Sequence, residues 1–315
     1  MRIRFGYLTA TILLAVGLTS NQALALTTHT VAKKRVAVTY KAAKQHSTKL
    51  SRHQSGLSDA EFSALVLKSS AVLVKDQSSG AVIFEKNSQA ILPIASITKL
   101  MTAMVSLDAQ PNLLETLTIS SDDVDMLKGT SSRLRVGAQM TREEMLRIAL
   151  MSSENRAASS LSRHYPGGRE AFVAAMNRKA KDLDLGDTRF EDPTGLTKAN
   201  VSSPRDLAKM VDAAYQYPLI REFSTSASGE VTVSGRTMQY NNTNSLVKNS
   251  AWEIGLSKTG YIAEAGKCLV MQAWMNQKPV IIVLLDSWGK LTRAADANRI
   301  KRWIEHPTSA ARHES

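Results

Sequence analysis

Apolar positions along this chain change their period twice. Ala71-Val72-Leu73-Val74 and Ala81-Val82-Ile83-Phe84 are short β-rich runs separated by Asp76-Gln77-Ser78-Ser79-Gly80, a pattern that predicts a hairpin. Over residues 96–217 the period becomes helical: Ile97, Leu100, Met101, Met104 and Val105 recur at helical spacing. Thr141-Arg142-Glu143-Glu144 has capping-box form ahead of Met145, Ile148, Ala149 and Met151. Gly167-Gly168 breaks the next helix, residues 170–183 resume one, and Ser203-Pro204-Arg205-Asp206 opens another that ends near Pro218. After Ser224 strand patterns return, loosely over 232–240 and then over 255–262, 268–275 and 280–285. The last two are joined through Asn276-Gln277-Lys278-Pro279, and residues 294–304 form a closing helix.

Strands at both ends with helices between them predict an α+β fold. The two ends meet as one antiparallel sheet, packed against the central helical block. The seam between sheet and block is then the expected place for a ligand cleft. No internal repeat and no nucleotide-binding glycine loop is present.

Residues 1–25 have the form of a signal peptide. Arg2 and Arg4 precede a mostly apolar stretch to about Leu18, and Ala23-Leu24-Ala25 is an A-x-A cleavage site. The apolar run is shorter than the roughly 20 residues a bilayer span needs, so cleavage near Ala25 and export to the periplasm are expected. Residues 26–56 are polar and without period, and are expected to be a disordered linker. They hold Lys33, Lys34, Arg35, Lys41, Lys44, Lys49 and Arg52 and no acid. From residue 57 onward 31 basic residues face 28 acidic ones, so most of the formal charge of +12 belongs to the first 56 residues. A basic segment on a nearly neutral body implies at most loose attraction to anionic envelope polymers, and argues against nucleic acid as partner. Residues 57–305 are expected to be one catalytic domain and 306–315 a tail.

Three motifs carry chemistry. Ser96-Ile97-Thr98-Lys99 opens the first helical stretch, with Ser96 and Lys99 on one face. A serine hydroxyl is a poor nucleophile until a base takes its proton. Lysine can be that base only when burial or nearby positive charge destabilises its ammonium. Ile94, Met101 and Met104 predict an apolar setting, the helix N-terminus acts in the same sense, and Lys258, if close, adds a second cation. Alone, the same spacing also describes a surface helix face. In Ser153-Glu154-Asn155, which follows an apolar helix, the Ser153 hydroxyl can pass a proton to a leaving amine. The Asn155 amide can bind a substrate carbonyl and a substrate amide; alone, the motif also describes a helix terminus. In Lys258-Thr259-Gly260 a cation and a hydroxyl suit a carboxylate, and Gly260 permits close backbone approach. The amide of Tyr261 can pair with that of Ser96 as an oxyanion hole; alone, the triplet also describes an edge strand or turn. Together and in this order the motifs approximate the S-x-x-K, S-D-N, K-T-G set, with S-E-N in the middle.

Rival chemistries fail on inventory. Of six histidines only His164 and His306 lie in or near the body of the chain, no H-E-x-x-H exists, and no nucleophile elbow is present. Neither a metal nor a cofactor is implied. Cys268, the single cysteine, sits in an apolar run and is expected to be buried and inert.

At these motifs the chain resembles the low-molecular-mass penicillin-binding proteins, serine D-alanyl-D-alanine peptidases, over about residues 69–304. It is most similar to their D-alanyl-D-alanine endopeptidase subgroup, the penicillin-binding protein 7 type. The stretches 94–105 and 149–158 carry that likeness, with His164-Tyr165-Pro166-Gly167-Gly168 and Asp192-Pro193-Thr194-Gly195-Leu196. The resemblance implies a β-lactamase/transpeptidase-like fold. It implies Ser96 as acylated nucleophile, Lys99 as general base, and Ser153, Asn155, Lys258, Thr259 and Gly260 as the remaining motif residues. The implied substrate is crosslinked peptidoglycan, cut between D-alanine and meso-diaminopimelate, with β-lactams as acylating inhibitors. A D-alanyl-D-alanine carboxypeptidase shares every motif. A class A β-lactamase would add a deacylating glutamate in an E-x-x-L-N segment, which is absent. A catalytically inert wall-binding protein is the reading from a different class. The chain continues only briefly beyond the closing helix, so a soluble or loosely attached enzyme is expected.

Overall fold

The computed structural model describes residues 65–289 and 291–306. The expected signal peptide, the basic segment and residues 307–315 of the tail lie outside them. In chain order the elements are β1 (Ser69–Asp76), β2 (Val82–Lys86), β3 (Leu92–Pro93), α1 (Thr98–Asp108), β4 (Thr116–Thr118), β5 (Gln139–Thr141), α2 (Arg142–Met151), α3 (Asn155–Arg163), α4 (Gly168–Asp182), β6 (Val201–Ser202), α5 (Pro204–Tyr215), α6 (Pro218–Thr225), β7 (Ser228–Val233), β8 (Arg236–Asn241), β9 (Glu253–Ile262), β10 (Gly266–Met275), β11 (Lys278–Ser287) and α7 (Thr292–Glu305).

The main sheet is antiparallel, in the order β2-β1-β11-β10-β9. The two chain ends therefore do meet, because β1 pairs directly with β11, Leu73 opposite Val283. Both faces of the sheet are covered. Ala71, Leu73, Val283 and Leu285 face the helical block, while Val72, Val74, Ile282 and Leu284 pack with Ala297 and Ile300 of α7. Burial on two sides is why β11 reads as an unbroken apolar run rather than an alternating one. β9 is an edge strand, with one side free to meet the helical block or a ligand.

The helical block is built round α1, which is buried on all sides from Thr98 to Ser106. The capping box expected at Thr141 is present: its hydroxyl accepts from Glu144 N, and the Glu144 carboxylate accepts from Thr141 N at 2.9 Å. His164 caps the C-terminus of α3.

Three details differ from the sequence expectation. Pro218 does not close the helical region but occupies the first turn of α6, whose Ile220 and Phe223 are buried. Residues 232–240 are two strands folded about Ser234-Gly235. The β10–β11 turn needs only Asn276 and Gln277, both at positive φ, so Lys278 and Pro279 belong to β11.

Candidate active site

Ser96 lies in a single tight turn (Ala95–Ile97) that runs straight into α1. Its Oγ is 2.8 Å from Lys99 Nζ. The same nitrogen is 2.7 Å from Asn155 Oδ1 and 2.7 Å from the Thr194 carbonyl. Lys99 is 1% exposed, and no carboxylate touches it. A neutral amine suits this triangle. It donates to Asn155 and Thr194 and turns its lone pair to the Ser96 hydroxyl. Burial pulls the Lys99 pKa down to about 7, against the more distant charges of Asp192 and Glu154, which favour the ammonium.

Ser153 occupies the turn between α2 and α3 in a left-handed conformation (φ 60°), a strained position for a residue with a Cβ. Lys258 Nζ donates to Ser153 Oγ at 2.9 Å and to the Thr259 carbonyl at 3.0 Å. Lys258 is as buried as Lys99, and burial lowers its pKa well below the usual lysine range, with Lys99 and Arg293 repelling its charge. The expected second cation is therefore close enough to act on the first site. Two ammonium groups at this depth oppose each other's protonation.

Gly260 explains how strand and helix come together. A Cβ there would sit 2.8 Å from the Ile94 carbonyl oxygen and 3.1 Å from Ser96 N. Only a bare Cα lets β9 lie against the serine turn, which brings the Ser96 amide beside the backbone at Gly260. Gly195 does the same from the other side, at φ +81°, where a Cβ would be 1.9 Å from the Ala95 oxygen.

The family model for D-alanyl-D-alanine carboxypeptidases, the S11 peptidases, matches residues 58–289. This chain belongs to that family. It is 50% identical over 243 residues to a D-alanyl-D-alanine endopeptidase of Pseudomonas aeruginosa, covering 76% of this chain and 78% of that protein. It is 47% identical to a D-alanyl-D-alanine endopeptidase of Escherichia coli, covering 76% and 78%. The crystal structure of the Streptomyces K15 DD-transpeptidase aligns with a TM-score of 0.71 at 28% identity, over 76% of this chain and 97% of that one. The resemblance drawn from the motifs, the α+β fold and the class of enzyme are thereby borne out: this S11 peptidase is a serine D-alanyl-D-alanine peptidase.

The structure places all three motifs of the peptidase in one seam, as expected, but gives some residues different partners. The Asn155 amide is engaged at both ends, with Oδ1 on Lys99 and Nδ2 donating to Thr130 Oγ1 at 3.1 Å. Thr259 Oγ1 donates to Thr243 Oγ1 at 2.7 Å. Tyr261 is 62% exposed at the mouth.

Several neighbours escaped the sequence reading. Thr194 lies in the quoted stretch 192–196, and Asp192 shapes it: its carboxylate accepts from Thr194 N, Gly195 N and Thr197 N at 2.5, 2.6 and 2.9 Å. Arg293, at the start of α7, donates to the carbonyls of Gly260 and Cys268 at 3.0 and 3.2 Å. Thr130 and Arg293 lie 25 and 33 residues from the motif residues they touch, with no local signal. Cys268 is buried, its thiol pushed up to about 11 by burial, so it is a poor nucleophile.

Proposed function

We propose that this S11 peptidase is an endopeptidase of the periplasm that hydrolyses D-alanyl–meso-diaminopimelyl crosslinks of peptidoglycan. The observation that carries the chemistry is the buried Lys99 amine 2.8 Å from Ser96 Oγ. The choice of crosslinks over terminal D-alanine rests on the two endopeptidases at 47–50% identity. Among the described residues no helix is long and apolar enough to cross a membrane.

Lys99 takes the Ser96 proton as Oγ attacks the D-alanyl carbonyl. The amides of Ser96 and Tyr261 receive the oxyanion. The proton taken by Lys99 passes through the Ser153 hydroxyl, held by Lys258, to the departing amine of the neighbouring peptide, so that Lys99 is neutral again and Ser153 is unchanged. Water then releases the acyl group by the same route in reverse. Asn155 holds Lys99 in register and exchanges its Thr130 contact for the substrate peptide. Lys258 and Thr259 meet a substrate carboxylate. Its arrival favours the charged form of Lys258, against the burial that lowers its pKa, while Lys99 stays neutral. A β-lactam acylates Ser96 and leaves slowly.

The test is labelling with a fluorescent penicillin beside Ser96→Ala, then incubation with crosslinked muropeptide dimers. Labelling lost in the variant and dimers converted to monomers are expected. Dimers that persist while terminal D-alanine is released would make the enzyme a carboxypeptidase.

A further inference from the structure

The substrate track proposed above runs along the edge strand β9. With the carboxylate at Lys258 and Thr259 and the scissile carbonyl at Tyr261 N, the acyl-donor peptide continues past Ile262 toward the β9–β10 turn. That turn carries Glu264. Lys128 Nζ, from the opposite wall, meets Glu264 Oε1 at 2.5 Å.

Lys128 belongs to a tightly organised loop. The Asp125 carboxylate accepts from Leu127 N, Lys128 N, Thr130 N and Thr130 Oγ1 at 2.8, 3.0, 2.9 and 2.7 Å. Thr130 in turn receives Asn155 Nδ2. The loop is therefore anchored to the helical block at the second motif and tied to the sheet just beyond the third. The Lys128 ammonium holds the Glu264 carboxyl below the usual range, and Lys198, on the loop that carries Thr194, adds its charge from a third direction.

We propose that the Lys128–Glu264 pair is a latch across the acyl-donor track that sets which donors enter. A short donor such as a penicillin ends before the latch and reaches Ser96 with it closed. A stem peptide still attached to a glycan strand has no free end to thread beneath the bridge, so the latch must open for it to seat. Both partners are about one-third exposed, so the pair is weak, sensitive to salt and able to open on demand. Lys128 and Glu264 are in this sense specificity-determining residues for the reaction. The proposal rests on the functional reading above.

The experiment compares the wild type, Glu264→Gln, Lys128→Gln and the exchange Lys128→Glu with Glu264→Lys on two probes: intact crosslinked sacculi and a fluorescent penicillin. At low salt each single variant is expected to release soluble products from sacculi about two- to fivefold faster, as suits the loss of one exposed pair. Penicillin acylation is expected to stay at the wild-type rate, and the exchange to restore the wild-type rate on sacculi. Single variants that leave the sacculus rate unchanged or lower it would overturn the latch. So would a parallel change on both probes, or an exchange that behaves like the single variants. Failure of the functional reading is separate: there the wild type itself would not be labelled through Ser96.

Discussion

The main sheet carries a buried polar cluster on each face, and the two are built on opposite rules. On the α7 face, Asp296 is fully buried and its carboxylate is saturated. It accepts from Lys68 N, Ser69 N and Ser69 Oγ at 3.0, 2.7 and 2.7 Å, and Arg299 pairs with it at 2.5 Å. On the helical face, Lys99 and Lys258 are equally buried, but their contacts are hydroxyls, an amide and carbonyls, with no carboxylate among them. The first cluster satisfies a charge and locks β1 to α7. The second withholds the counter-charge, so burial brings the Lys99 pKa down to about 7 and the amine can take up and give back a proton near neutrality. Ala95 (φ 47°) and Ser153 (φ 60°) add backbone strain at the second cluster, as expected where stability has been given up for chemistry.

The comparison can be broken most directly at Ser96. Ser96→Ala is expected to lower penicillin acylation by more than about 10³-fold, with the thermal unfolding midpoint close to that of the wild type. Asp296→Ala and Lys99→Met then set the two clusters against each other. Asp296→Ala leaves Arg299 and the Ser69 amide without their acceptor, and is expected to cost about 3 kcal/mol in denaturant unfolding. The folded fraction should acylate at the wild-type rate. Lys99→Met is expected to abolish acylation and to raise stability by about 1 kcal/mol, because a buried amine without counter-charge is replaced by an apolar chain. A Lys99→Met protein less stable than the wild type would show that the lysine is not a liability to the fold.

The sign of the pH dependence follows from the depressed Lys99 pKa. Between about 7 and the ordinary value of 10.5 the unfolded chain holds the Lys99 proton and the native state does not, so this group's contribution to stability rises with pH across that window. The stability advantage of Lys99→Met should shrink accordingly from pH 7 to 10. In the wild type, the second-order acylation rate should climb through about pH 7 as Lys99 loses its proton, and then level off. Gly260→Ala tests the seam more gently. Its Cβ would press on the Ile94 oxygen and Ser96 N, and a displaced strand of this kind is expected to slow acylation by about 10²-fold.

Much of this was legible in the chain itself. The apolar runs 71–74 and 280–285, the helical period after Ser96 and the Thr141 capping box are local patterns, and local patterns report local structure. The three motifs named both side chains that hydrogen-bond Lys99, Ser96 and Asn155, but not its third partner, the Thr194 carbonyl. Boundaries were less legible: Pro218 suits a helix start as well as a stop, and only the packing of Ile220 and Phe223 decided between them.

What the sequence determined by itself was the inventory and the order: a serine and a lysine one turn apart, a hydroxyl and an amide in one turn, a cation on a strand, and the family to which they belong. Tertiary structure decided which groups meet. Burial depth and contacts between distant residues have no signature in spacing, because they depend on how far a sheet edge can press against a helix. Gly260 and Gly195 set that distance. Folding also puts the Thr194 carbonyl on Lys99, Thr243 on Thr259 and Glu264 against Lys128, and it leaves two lysines in the interior with no acid in contact with either.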